Sequence, residues 1–122
     1  MGSRLQNILI GSAIISVLSH LYGDRNRILI LADTPEKLGE WRRGLQDCLG
    51  ISRSDFGPNR GVILFETANA LIKKGDRIVE QDDIPLVIMD LDDDRVSLSL
   101  LKFPLWLAFA PDSPSLSDEY YY

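Results

Sequence analysis

The stretch Ile84-Pro85-Leu86-Val87-Ile88-Met89-Asp90-Leu91-Asp92-Asp93 decides the fold of this 122-residue chain. An apolar run leads without interruption into Asp90, and a carboxylate-rich turn follows. A strand buried on both faces reads this way, as in a parallel sheet with helices on each side. In such sheets ligands and chemistry sit just beyond the carboxyl ends of the strands, so Asp90 marks the place to look for chemistry.

The flanking segments extend the same pattern. Arg27 to Ala32 is a second apolar run and reads as the first strand. Asp33-Thr34-Pro35-Glu36 follows as a helix start. Asp or Thr caps, Pro suits the first turn, and Glu favours the positive end of the helix. Leu38, Trp41, Leu45, Cys48 and Leu49 then recur at helical spacing, with Gly50 as terminator. Gly39 and Gly44 weaken this helix by roughly 1 kcal/mol each relative to Ala. Residues 51–61 read as a loop, Val62 to Phe65 as a strand, and Ala68 to Lys74 as a short helix closed by Gly75. Val96 to Leu100 alternates like a strand, though a short helix fits as well, and Leu105 to Ala110 reads as the last strand. An antiparallel hairpin over 95–110 is one arrangement of these two.

Residues 4–22 form a helix that is apolar around most of its circumference, with Ser12, Ser16 and Ser19 on one stripe. A span of about 20 apolar residues is needed to cross a bilayer, and Gly11, Ser12 and Ser16 interrupt this one. A signal-peptide reading has Arg4 in its favour but no small-residue cleavage site after it. The helix is therefore expected to pack on the domain, with Leu5, Ile8, Leu9, Ile15, Leu18 and Tyr22 too apolar to stay in water. Membrane contact is not expected.

The order of elements predicts a three-layer α/β/α domain over residues 1–110, with a small, mainly parallel sheet of about four strands. A polar, flexible tail over 111–122 follows, rich in Pro, Ser and Asp and ending in Tyr120-Tyr121-Tyr122.

Composition narrows the function. The net charge of −5 argues against nucleic acid, which needs a dense basic surface. Charge is also unevenly placed: residues 1–60 carry eight basic and six acidic side chains, and residues 61–122 five basic and twelve acidic. The single cysteine, Cys48, excludes an internal disulfide and fits a reducing cytoplasm. On the apolar side of its helix it reads as a small buried hydrophobe. With His20 the only histidine, a structural zinc site lacks ligands. Gly57-Pro58-Asn59-Arg60-Gly61 lacks the Gly-Lys-Ser/Thr ending of a phosphate loop. Asp90, Asp92, Asp93 and Asp94 supply oxygen ligands of the kind Mg²⁺ or Ca²⁺ takes, but their spacing fails the EF-hand pattern, and a solvated acidic turn is the simpler reading. Arg42-Arg43 and Lys73-Lys74 fit solvated helix faces, and Trp41 and Trp106 fit the core.

Several of these segments resemble the receiver domains of response regulators. Arg27-Ile-Leu-Ile-Leu-Ala-Asp-Thr-Pro35 is similar to their first strand and loop, and Val62-Ile-Leu-Phe-Glu-Thr-Ala-Asn-Ala-Leu71 to their second strand and helix. Leu86-Val-Ile-Met-Asp-Leu91 resembles the strand carrying the phosphoacceptor aspartate, and Phe103-Pro-Leu-Trp-Leu-Ala-Phe-Ala110 the fourth strand. The resemblance spans residues 27–110 and implies a phosphoacceptor role for Asp90 with Mg²⁺ nearby. The departures are chemical. The acidic pair that holds magnesium in receivers reads Ala32-Asp33, Phe109 stands where a hydroxyl residue is expected, and the fifth strand with its lysine is not found. Phosphoryl transfer needs the metal, the hydroxyl and the lysine to offset charge on the phosphoryl oxygens, and only Asp33 and Asp90 remain.

The expected function is accordingly non-catalytic protein binding, as an adaptor, regulator or assembly factor, with no cofactor and no bound metal. The alternatives are a phosphoacceptor or Mg²⁺-dependent signalling domain centred on Asp90, and a membrane-peripheral subunit held by residues 4–22. The partner is expected to be another protein or a second copy of this chain. Tyr120, Tyr121 and Tyr122 would anchor the contact, because terminal aromatics gain by burial on a partner. Asp92, Asp93 and Asp94 would steer a basic partner toward it.

Overall fold

A computed structural model describes residues 3–52, 55–57, 61–91 and 102–109. The elements run α1 (Ser3–Tyr22), a 3₁₀ turn at Gly23–Arg25, β1 (Asn26–Ala32), α2 (Pro35–Leu49), β2 (Val62–Phe65), α3 (Ala68–Glu80), β3 (Ile84–Asp90) and β4 (Leu105–Phe109). All four strands are parallel, in the order β2-β1-β3-β4. This is the order of flavodoxin-like doubly wound sheets, in which ligands gather at the β1/β3 switch point. The three-layer α/β/α architecture read from the sequence is the one found.

Alternation along the two central strands divides the core. Ile28, Ile30 and Ala32 of β1 and Leu86 and Ile88 of β3 join Ile8 and Ile15 of α1 and Leu38, Trp41 and Leu45 of α2 in one cluster. The intervening Leu29, Leu31, Val87 and Met89 pack with Leu71 and Ile78 of α3 and with Phe103 in the other. Each central strand therefore has two apolar faces, which is why its sequence is an unbroken apolar run.

Helix α2 begins where the sequence places it. Thr34 is the cap, its Oγ1 accepting from the Lys37 N–H at 3.2 Å, Pro35 is the first helical residue, and Gly50 closes the helix in a left-handed conformation. Thr67 caps α3 in the same way. At the amino ends of the strands, the Arg25 guanidinium donates to the Asp82 carbonyl at 2.7 and 3.1 Å, and Arg27 pairs with Asp83 at 3.7 Å. These contacts tie the turn between α3 and β3 to the start of β1.

Several local expectations are corrected. Helix α3 does not stop at Gly75 but continues to Glu80. Gly75 is buried mid-helix because a Cβ there would lie 2.5 Å from the Phe103 ring, so the glycine makes room for a side chain rather than a helix end. Gly44 serves α2 likewise, since a Cβ would come within 2.5 Å of Ile8 and only glycine lets α1 approach this closely. Cys48 is exposed, on the solvent side of α2, not in the core. Trp106 is exposed on β4, while Trp41 is fully buried.

Of the antiparallel hairpin expected over 95–110, the described part is β4, which runs parallel to β3. Val96 to Leu100 lie outside the described residues. Helix α1 packs on the sheet and on α2 through Ile8, Gly11, Ser12 and Ile15, but Leu5, Leu9 and Tyr22, expected to be covered, are exposed.

Gly75→Ala tests the close approach of α3. On an open helix the change gains roughly 0.5–1 kcal/mol in helix propensity. Here the added methyl meets Phe103, and overpacking of this kind costs about 1–3 kcal/mol. Chemical denaturation is expected to show Gly75→Ala destabilising in the native background and neutral or stabilising beside Phe103→Leu. The same penalty in both backgrounds would show that the ring is not its cause.

Candidate functional site

The carboxyl ends of β1, β3 and β4 meet at one point. Ala32 pairs in register with Asp90, and Asp90 with Phe109. Asp33 follows directly after β1, so the topology brings together the residues that the receiver resemblance singled out, Asp33, Asp90 and Phe109.

Their side chains are committed elsewhere. Asp90 is only 4% exposed, and Trp41 Nε1 donates to its Oδ2 at 2.8 Å. The Trp41 ring is itself fully buried from α2, with the Phe109 ring tilted against it at 6.0 Å between centroids. On the outside, Asp33 accepts from Lys37 Nζ at 2.7 Å. Lys37 lies in the first turn of α2, where the helix dipole disfavours a cation, and its side chain is 7% exposed. The carboxylate one turn earlier compensates both the dipole and the loss of water.

Such an arrangement limits the chemistry. A nucleophilic carboxylate must reach its electrophile, and Asp90 reaches an indole N–H within the core instead. An indole N–H donates a hydrogen bond but carries no positive charge to balance a phosphoryl group. Phe109 adds an apolar wall where a polar donor would be needed. Among the described residues no group of three or more His, Cys, Asp or Glu side chains is placed to hold a metal ion. Asp92, Asp93 and Asp94, and Tyr120, Tyr121 and Tyr122, lie outside the described residues.

Sequence reasoning found Asp33 and Asp90 but missed Trp41 and Lys37 as their partners. The signals were present. A buried tryptophan needs an acceptor for its N–H, and Asp33 to Lys37 is a helical i, i+4 spacing. A cavity of about 580 Å³ opens at the opposite end of the sheet, bordered by Ile15, Asn26, Arg27, Leu49 and Asp83. Asn26, which borders this cavity, has a buried side-chain amide with no hydrogen-bond partner among the described residues.

The fold and this end of the sheet define a doubly wound α/β domain in which, among the described residues, Trp41 and Phe109 pack beside Asp90 at the carboxyl end. The chain belongs to the family described as a protein of unknown function, DUF3086, whose model matches residues 1–117. No curated protein and no solved structure matches it. The family match includes the whole of α1 and stops short of the tyrosine triplet.

Trp41→Phe preserves most of the ring and deletes the donor to Asp90. Leaving a buried acceptor without that bond costs about 1–3 kcal/mol. The variant is expected to unfold at correspondingly lower denaturant, with the loss much reduced when Asp90→Leu accompanies it. Equal losses in the two backgrounds, read as a double-mutant cycle, would mean that the bond carries no coupling.

Proposed function

We propose that this is a non-catalytic protein-binding domain, an adaptor, regulator or assembly factor, built on a degenerate receiver-like frame. The observation that carries the reading is Asp90, buried at the carboxyl end of β3 and bonded to the Trp41 indole. Where a signalling receiver presents a carboxylate to solvent and metal, this chain uses it as an internal tie. Among the described residues the neighbouring carboxylate, Asp33, is engaged by Lys37.

Partner contact through Tyr120, Tyr121 and Tyr122, with Asp92, Asp93 and Asp94 steering the encounter, remains part of the proposal. Terminal aromatics bury well on a partner, and the chain's excess acidity lies in residues 61–122. Removing residues 112–122 is expected to weaken capture of the partner from the native extract while leaving the melting temperature nearly unchanged. Undiminished capture would move the binding surface off the tail.

The phosphoacceptor alternative has a direct test. Incubation with acetyl phosphate and Mg²⁺ is expected to leave the intact mass unaltered. A stoichiometric gain of one phosphoryl group, abolished by Asp90→Asn, would overturn the non-catalytic reading.

A further inference from the structure

Asn26 opens β1 on a face that is otherwise apolar. Side chains alternate along a strand, so Asn26 shares the face of Ile28, Ile30 and Ala32, toward α1 and α2. It is 6% exposed, and neither Oδ1 nor Nδ2 has a hydrogen-bond partner among the described residues. The side chain is not needed to finish the turn before the strand, because the backbone N–H of Asn26 donates to the Gly23 carbonyl. Its register partner on β3 is Ile84, whose side chain offers nothing to an amide. A buried amide with both ends unbonded is costly, and native folds supply such groups with a partner.

The place for that partner is adjacent. The cavity of about 580 Å³ at the amino end of the sheet is lined by Asn26 together with Ile15, Ile28, Leu49, Ile51 and Val62. Pockets for small molecules are of this kind, ~300–1,000 Å³ in volume and mostly apolar, with a few polar groups that fix orientation. The charged side chains in the lining are engaged with protein. Arg27 pairs with Asp83 at 3.7 Å, and Asp55 accepts from the Ser52 N–H at 2.9 Å and from its hydroxyl at 3.3 Å.

A primary amide presents an acceptor and a donor side by side, so its full complement is a donor beside an acceptor. Purine and pyrimidine bases carry such edges, and asparagine takes adenine through two bonds, at N6 and N7. We propose that this cavity binds a small, uncharged, planar heterocycle with a donor beside an acceptor, the class of the free purine and pyrimidine bases, and that the Asn26 amide recognises it. Nδ2 donates to the ring acceptor, and Oδ1 accepts from the neighbouring N–H. Ile15, Ile28, Leu49, Ile51 and Val62 supply the apolar wall for the ring.

Two features favour this occupant. Water would satisfy the amide but gain nothing from the apolar wall, whereas a flat heterocycle uses both. Charge excludes an anionic ligand: the one cation in the lining is paired, and two carboxylates stand beside it. The site lies at the opposite end of the sheet from Asp90, goes beyond the protein-binding reading and does not depend on it.

Nuclear magnetic resonance on the full chain, labelled with nitrogen-15, tests the assignment with adenine and uracil as probes. Both bases are expected to move the Asn26 side-chain amide resonances in a saturable way, together with the backbone signals of Ile28 and Leu49. N6,N6-dimethyladenine lacks the donor, and its binding is expected to be about tenfold weaker, the loss of one neutral hydrogen bond. Adenosine monophosphate is expected to bind more weakly than adenosine. Asn26→Leu removes both unbonded atoms, so it is expected to unfold at no lower denaturant than the native chain while losing the response to adenine.

No response at Asn26 to either base overturns the proposal and leaves the amide to water. Equal affinity for adenine and its dimethyl analogue overturns it too, since the ring would then sit on the apolar wall without the amide. Tighter binding of the monophosphate than of adenosine would overturn the uncharged class. These outcomes are read in the native chain, so they stand even where Asn26→Leu fails to fold. None bears on the protein-binding reading, which fails instead on phosphorylation at Asp90.

Discussion

An indole N–H lying 2.8 Å from a carboxylate joins α2 to the end of the central strand β3, and the rest of the site is arranged around that bond. Hydrophobic contact alone would hold α2 against the sheet but would tolerate sliding, because it has no preferred direction. A single donor aimed at a single buried acceptor does not. It fixes where Trp41 sits over the sheet. That in turn sets where Gly11 meets the ring and where Phe109 of β4 closes against it. The aspartate is costly to bury and would be worse than useless without its donor. The pair has to be kept or lost together, and the same bond that positions the helix removes the carboxylate from solution chemistry.

Much of the architecture was legible because its signals are local. A strand with helices on both faces must be apolar at every position, and 28–32, 62–65 and 84–89 are. The start and end of α2 are written in Thr34, Pro35 and Gly50, each acting within one turn. What could not be read is what depends on distant residues. Gly75 after a short helical run looks like a terminator until Phe103 is placed over it. Cys48 shares its spacing with Leu45 and Leu38, yet the helix rotates it just past the edge of the buried face. At the site, Asp33 and Asp90 stood out by their positions after apolar runs. The bond that decides what Asp90 can do comes from Trp41, 49 residues away, and no local pattern encodes it.

Helix α1 shows the limit of hydropathy most clearly. Counting apolar residues treats all of them as equally in need of cover, so the helix reads as wholly buried. In the fold only the side facing Gly44 and Trp41 is matched, where Gly44 lets Ile8 in and Gly11 lies against the Trp41 ring. A helix with a polar back would have ended its role at that contact. This one repeats an apolar ridge on the other side.

The two halves of the molecule therefore differ in what they leave unsatisfied. At the carboxyl ends of β1 and β3 the described carboxylates are turned inward or paired: Asp90 to Trp41, Asp33 to Lys37. On α1 the reverse holds, since large apolar side chains stay in water with no compensating contact. Covering an exposed apolar surface of this kind is favourable, whatever covers it. An exposed apolar ridge on a helix that carries no charged side chain between Leu5 and Tyr22 asks of anything that covers it shape complementarity rather than charge.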